Sequence, residues 1–370
     1  TALAAGIKTN NGAVGLDPEG KPVETIATFA KRQGYKVGIL SSATINHATP
    51  AAFYAHVLNR GMYDDISADL PRSGFDFFGG GGLGANKDSQ PAYDQVREGG
   101  YTVMRVQTRQ ELADTEVAGM TYIYRNMGEA LADREKDVFT LADVTAKAIA
   151  ALDNPEGFFL MVEGGQIDWS CHFNCPAGTI AETLDFNEVV QVAYAFYEKH
   201  PADTLIIVTA DHETGGLAIA DPAKLVQLRE QNPELLATFL ARNATYKSLT
   251  RVARMLQEGN ASFADAVAAV QKQIGVTDFT EDEMQLLRQA WAKEELSEED
   301  ARMLFALYEP LAVAAQRVVS NRMGLSWSTF GHSAADITTT AVGVGAERFA
   351  GSYHLTHIPQ VLFQMMNRGK

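Results

Sequence analysis

The chain has 370 residues, 46% hydrophobic and 21% charged, with a formal net charge of −15. That length suits one large α/β domain with an insertion, or two domains, and the acidic balance argues against nucleic acid or an anionic membrane surface as the main partner. No apolar run reaches the roughly 18 residues of a membrane span, whereas a small anionic substrate stays open because a few local cations override the global sign.

Residues 1–16 read as the end of a helix and a polar loop, with no signal peptide visible in Thr1-Ala2-Leu3-Ala4-Ala5-Gly6. Residues 24–33 predict a helix, and residues 36–42 a strand carrying Val37, Ile39 and Leu40. Thr49 as N-cap and Pro50 at the first helical position predict a helix through Ala51, Phe53, His56 and Val57 to about Arg60. Residues 75–78 read as a second strand closed by four glycines, Gly79 to Gly82, and residues 101–106 as a third. Helical spacing over 140–152 (Leu141, Val144, Ala148, Ile149, Leu152) is followed by an apolar run from Phe158 that reads as a buried parallel strand ending on Glu163. A long helix over 180–197 and another buried strand over 204–209, ending at Asp211-His212, complete the alternation. This pattern predicts an α/β fold, a three-layer α/β/α sandwich around a mainly parallel sheet.

The pattern changes after Asp221. Residues 222–324 carry almost no strand signal, and Leu249, Val252, Met255 and Leu256 recur at helical spacing. Thr280 with Glu283, and Ser297 with Asp300, stand in capping-box spacing. The acidic stretch 280–283 lacks the ligand pattern of a calcium loop. The segment is therefore expected to be a helical insertion over the mouth of the site, dividing a core formed by residues 1–221 and 325–370. A last strand over 337–344 and a closing helix over 359–366 follow. Cys171 and Cys175 are four apart, a poor helical geometry for a disulfide, and are read as free thiols.

Chemistry concentrates at strand ends. After Gly164-Gly165, Asp168 and His172 share one helical face about 6 Å apart, which suits either half of a zinc site or a surface pair. Asp211-His212 can turn to one ion from a loop, or serve as a cap and a surface residue. Two strands ending in carboxylate–imidazole pairs face the same crevice of a parallel sheet. His332, alone in a polar loop, would complete Asp168 and His172 as a three-ligand site with an open position. Thr49 and Glu163 offer oxygens suited to magnesium, although Thr49 also serves as an N-cap. The Arg60 guanidinium can fork onto two phosphate oxygens or act as a helix C-terminal cation.

Taken together, these features resemble the alkaline phosphatase family. The motifs are Thr1 to Gly12, His47-Ala48-Thr49-Pro50-Ala51-Ala52, Val162-Glu163-Gly164-Gly165-Gln166-Ile167-Asp168 and, most specific, Thr209-Ala210-Asp211-His212-Glu213-Thr214-Gly215-Gly216. The resemblance covers nearly the whole chain. It implies hydrolysis of phosphate monoesters at a site with two zinc ions and one magnesium. Asp168, His172 and His332 would hold the first zinc, Asp211 and His212 the second, and Thr49 and Glu163 the magnesium. Arg60 would clamp the phosphate, while His47 and Trp169 tune phosphate and metal binding. The resemblance also implies a homodimer in a periplasmic or secreted setting. The family's nucleophilic serine, and a further aspartate on its first strand, fall upstream of Thr1 in this register. Related metal-dependent phosphodiesterases, sulfatases and cofactor-independent mutases share the scaffold, and a non-catalytic fragment that binds metal and phosphate is the reading from another class.

Overall fold

The computed structural model describes residues 1–84, 88–128, 130, 136–292 and 296–367. Five parallel strands form the main sheet in the order β3-β4-β2-β1-β5. They are β1 (Lys36–Ser41), β2 (Phe77–Gly80), β3 (Thr102–Arg105), β4 (Thr121–Tyr124) and β5 (Phe158–Glu163). Side chains alternate along each strand, so the sheet has two apolar faces. Val37, Ile39, Phe78 and Tyr122 face a core shared with the helices Ile26–Arg32, Tyr63–Arg72 and Gln90–Glu98. Leu40, Phe77 and Ile123 face the other way, onto Leu141–Leu152 and Val189 of the long helix Pro176–Tyr197. These are the three layers expected from the alternating pattern.

Two expectations about strands change. β6 (Leu205–Val208) does not join the parallel sheet; it pairs antiparallel with β11 (Thr340–Gly343). Both β5 and β6 are half-buried throughout rather than buried. Among the described residues each keeps one edge without a strand partner, β5 at the end of its sheet and β6 opposite β11. The helix Pro176–Tyr197 touches both: Phe196 meets Phe158 edge-on at 5.4 Å, and the same helix packs on β6. β4 was not anticipated, although Thr121-Tyr122-Ile123-Tyr124 is a β-branched and aromatic run.

The helix expected from Thr49 to Arg60 is a single turn, Ala48–Ala51, with His47 as its N-cap and Thr49 inside it. Tertiary pairing overrides the helical spacing beyond that turn. Val57 forms an antiparallel bridge with Val14, His56 Nδ1 meets the Gly15 carbonyl at 2.7 Å, and the Arg60 N–H donates to Gly12 O at 2.7 Å. Arg60 therefore sits in an exposed turn and is not a helix C-terminal cation.

Between β8 (Ala218–Ile219) and β9 (Leu325–Ser326), which pair antiparallel, the chain is helical. Seven α-helices, from Pro222–Gln231 to Pro310–Arg322, are described there; residues 293–295 of this expected insertion lie outside the described residues. Their core is separate from the sheet's, built on Phe239, Leu249, Val270, Leu287, Phe305 and Val318. The caps stand where the spacing put them. Thr280 accepts from the Glu283 N–H at 3.2 Å, and Ser297 from the Asp300 N–H at 3.1 Å. Cys171 and Cys175 are free and buried, as expected.

Candidate active site

β5 delivers Glu163 at its last position, where it sits in register with Ser41 at the end of β1. The helix Gly165–His172 follows at once and carries Asp168 and His172 on one face, with His172 Nε2 3.3 Å from Asp168 Oδ1. The loop after β6 carries Asp211 and His212, whose Oδ2 and Nε2 are 3.3 Å apart. His332 arrives from far along the chain because β10 (His332–Ser333) pairs antiparallel with β7 (Glu213–Thr214). That pairing stacks the His212 and His332 rings at 3.5 Å and sets His332 Nε2 3.7 Å from Asp168 Oδ1. Ends of two separate sheets thus converge on one cluster.

The hydrogen bonds orient these side chains as metal ligation requires. His172 Nδ1 lies 2.6 Å from the Phe330 carbonyl, which can only accept, so Nδ1 carries the proton and Nε2 faces the cluster. Thr214 Oγ1 spends its proton on Asp168 Oδ1 at 2.6 Å. His212 Nδ1, 3.2 Å from the Thr214 Oγ1, must then donate to it, leaving its Nε2 without a proton. Asp168, His212 and His332 each offer a ligand atom, all within 4.8 Å of one another. Burial pushes the Asp168 carboxyl upward, but the hydrogen bonds from His172 and Thr214 outweigh it and hold the group at about 2.

Glu163 behaves in the opposite way. Burial raises its carboxyl to about 7, against lowering hydrogen bonds from Ser41 and Thr49, with Asp211 and Asp168 adding to the rise. This half-buried carboxylate flanked by two hydroxyls is a hard oxygen donor set. Next to it, His47 Nδ1 is buried without a hydrogen-bond partner, and burial together with Arg60 pushes this imidazole down to about 4. Its Nε2 lies 3.2 Å from Arg60 Nη2, and its ring meets Trp169 edge-on at 5.7 Å. The sequence-predicted residues are thereby brought together: Asp168, His172, Asp211, His212 and His332 in one cluster, Glu163 with Thr49 beside it, and Arg60, His47 and Trp169 along its rim. Sequence reasoning missed Ser41, Thr214 and Lys247. Ser41 had a signal, as the last residue of a strand next to a strand ending in a carboxylate.

The backbone between Asp211 and the insertion leaves no room for a larger residue. Gly215 has φ +87, and a Cβ there would lie 2.7 Å from the Trp327 ring and 2.9 Å from the Cys171 carbonyl. Gly215→Ala is expected to destabilise the fold by roughly 2 kcal/mol or more, read as a lower denaturation midpoint with an unchanged m-value.

A family model described as Alkaline phosphatase matches residues 1–104 and 80–367. The chain belongs to the alkaline phosphatase family. It is 29% identical over 387 aligned residues to alkaline phosphatase 4 of Bacillus subtilis, covering 100% of this chain and 76% of that relative. The cold-active alkaline phosphatase of a psychrophilic Shewanella superposes with a TM-score of 0.77 at 30% identity, covering 99% of this chain and 84% of that one. A variant of the alkaline phosphatase from the Antarctic bacterium TAB5, with Mg bound in the M3 site, superposes at 0.65 and 26% identity, covering 100% and 83%. Alkaline phosphatases are metal-dependent phosphomonoesterases, so the substrate class is a small phosphate ester, and the ligand cluster described above is one that can hold a metal. No helix among the described residues is long and apolar enough to cross a membrane.

Proposed function

We propose that this alkaline phosphatase hydrolyses phosphate monoesters through a phosphoserine, at a site for two zinc ions and one magnesium, with the serine upstream of Thr1. The observation that carries the reading is the convergence of two carboxylate–imidazole pairs and His332 beside Arg60. The donor types fit the ions. Nitrogen and oxygen ligands suit zinc, and the oxygens of Glu163 and Thr49 suit magnesium. Asp168, His172 and His332 would hold one zinc, Asp211 and His212 the other.

Zinc bound there would supply Lewis acidity, lowering the pKa of the attacking hydroxyl and neutralising charge on the leaving oxygen. The chain's own groups do the rest. Arg60 clamps two non-bridging phosphoryl oxygens and neutralises their charge, with its guanidinium steadied by His47. His47 stays neutral at working pH and so does not compete for the phosphate. We also propose a homodimer located in the periplasm or secreted, which light scattering and cell fractionation would check.

The full-length protein, loaded with zinc and magnesium, should hydrolyse p-nitrophenyl phosphate, lose that activity on chelation, and leave bis-p-nitrophenyl phosphate nearly untouched. Faster cleavage of the diester would make it a phosphodiesterase.

The reading also fixes a pH dependence. Glu163 has a raised folded-state pKa, so in metal-free protein its contribution to stability is complete below about pH 4.5 and is lost as pH rises through about 7. The loss is on the order of 3 kcal/mol. Magnesium needs the ionised carboxylate, so its stabilising effect should grow over the same interval. Thermal melts of chelated protein from pH 5 to 8, with and without magnesium, check both slopes. In Glu163→Gln both are expected to flatten.

A further inference from the structure

We propose that Lys247, carried by the helical segment between β8 and β9, determines specificity by favouring phosphomonoesters whose leaving group bears a second negative charge; this rests on the phosphomonoesterase reading above. The helix Tyr246–Glu258 starts at a defended position. Its N-cap Thr245 is 1% exposed and accepts from the Ser248 N–H. Tyr246 stacks on Phe173 at 4.1 Å, one residue past His172, and its hydroxyl accepts from the Glu309 N–H at 2.9 Å. With its neighbours pinned, Lys247 has one direction to go, and its ammonium stands 5.9 Å over the Trp169 ring. It donates to Gln166 Oε1 at 3.1 Å, and Gln166 is itself buried and bound to Ser42 through its N–H and its amide.

Trp169 therefore links two cations. Its ring meets His47, which touches Arg60, and the Lys247 ammonium lies over the same ring. Arg60 belongs to the phosphoryl group. A substrate held by Arg60 then carries its alcohol portion along the indole towards Lys247. A lysine suits that task better than an arginine, since its ammonium is a compact charge on a flexible stem that follows ligands of differing shape. In a chain of net charge −15 such a local cation decides whether a second anion is repelled or drawn in.

A matched pair of esters tests this: phenyl phosphate and 4-carboxyphenyl phosphate, with full-length, zinc- and magnesium-loaded protein. Lys247→Met should lower kcat/KM for the carboxylated ester about tenfold, mainly through KM, and for phenyl phosphate less than about twofold. Lys247→Arg should restore most of the preference, and about 0.5 M salt should erase it in the wild type. An equal fall for both esters, or no change in their ratio, overturns the assignment while leaving the phosphomonoesterase reading intact. A wild-type protein that turns over neither ester overturns both.

Discussion

Residues 1–370 produced on their own are expected to form no phosphoserine and to turn over p-nitrophenyl phosphate at least roughly 10³-fold more slowly than the full-length protein. The hydroxyls that the site brings to its carboxylates are already committed. Ser41 donates to Glu163, Thr214 to Asp168 and Ser333 to Glu213. The Thr1 hydroxyl accepts from the Gly15 N–H at 2.9 Å. Ser41, Thr214 and Ser333 thus have no proton free for transfer, and one lone pair of Thr1 Oγ1 is taken by the Gly15 N–H. The deficit reaches the metal as well. Asp211 and His212 alone fall short of the usual zinc ligand set, so the second ion should bind weakly. The open edges of β5 and β6 add a solubility penalty, because a strand edge with unpaired N–H and C=O groups invites pairing between molecules. Expression of residues 1–370 with zinc and magnesium, followed by a chromogenic assay and a phosphoenzyme trap, checks the expectation. Turnover comparable to the longer protein would place the nucleophile inside this sequence.

Asp168→Ala in the full-length protein is expected to abolish first-site zinc and cost roughly 10³-fold or more in kcat/KM. Asp168 is the hub of the cluster: its Oδ1 faces His172 at 3.3 Å, His332 at 3.7 Å and the Thr214 hydroxyl at 2.6 Å. Removing it leaves His172 and His332 without the carboxylate they share, and only Asp211 beside His212. Its folded-state pKa, held at about 2, lies below the ordinary carboxylate value, so its stabilising contribution is present above about pH 4 and disappears as pH falls towards 2. The carboxylate is therefore ionised under every assay condition. Asp168→Asn separates charge from shape. It should keep the fold, shown by a cooperative melt only a few degrees below wild type in metal-free protein, and still lose zinc by elemental analysis. Full zinc occupancy in Asp168→Asn would show that another group holds the ion.

The site was more legible than the fold that carries it. An apolar strand ending in a carboxylate, then two glycines and an Asp-x3-His turn, places Glu163, Asp168 and His172 within one short stretch whose local geometry is set by helical spacing. Asp211-His212 was readable because it too follows directly on an apolar strand. His332 was not placed by spacing; its position depends on the β7–β10 pairing, a two-residue ladder with no signature of its own. Thr49 was read as a cap because Thr-Pro favours a helix start, yet His47 takes that position and Thr49 turns to Glu163. Arg60 kept its place beside His47 although the predicted helix gave way to pairing between Val14 and Val57. β6 read as a buried parallel strand because Leu205 to Val208 is uniformly apolar, and composition does not say whether apolar residues face a helix, a neighbouring strand or an open edge. Lys247 was invisible for a related reason: its partner Trp169 is distant in sequence, and a lysine at the start of an amphipathic helix looks like any solvated charge.

The central claim is that two carboxylate–imidazole pairs from separate sheets, completed by His332, hold two zinc ions. Anomalous scattering at the zinc edge from crystals of the zinc-loaded full-length protein tests it most directly. Two peaks are predicted. One should lie roughly 2.0–2.2 Å from Asp168, His172 and His332, and the other at the same distance from Asp211 and His212. A single peak shared by Asp168, His212 and His332, or none at these residues, would contradict the account.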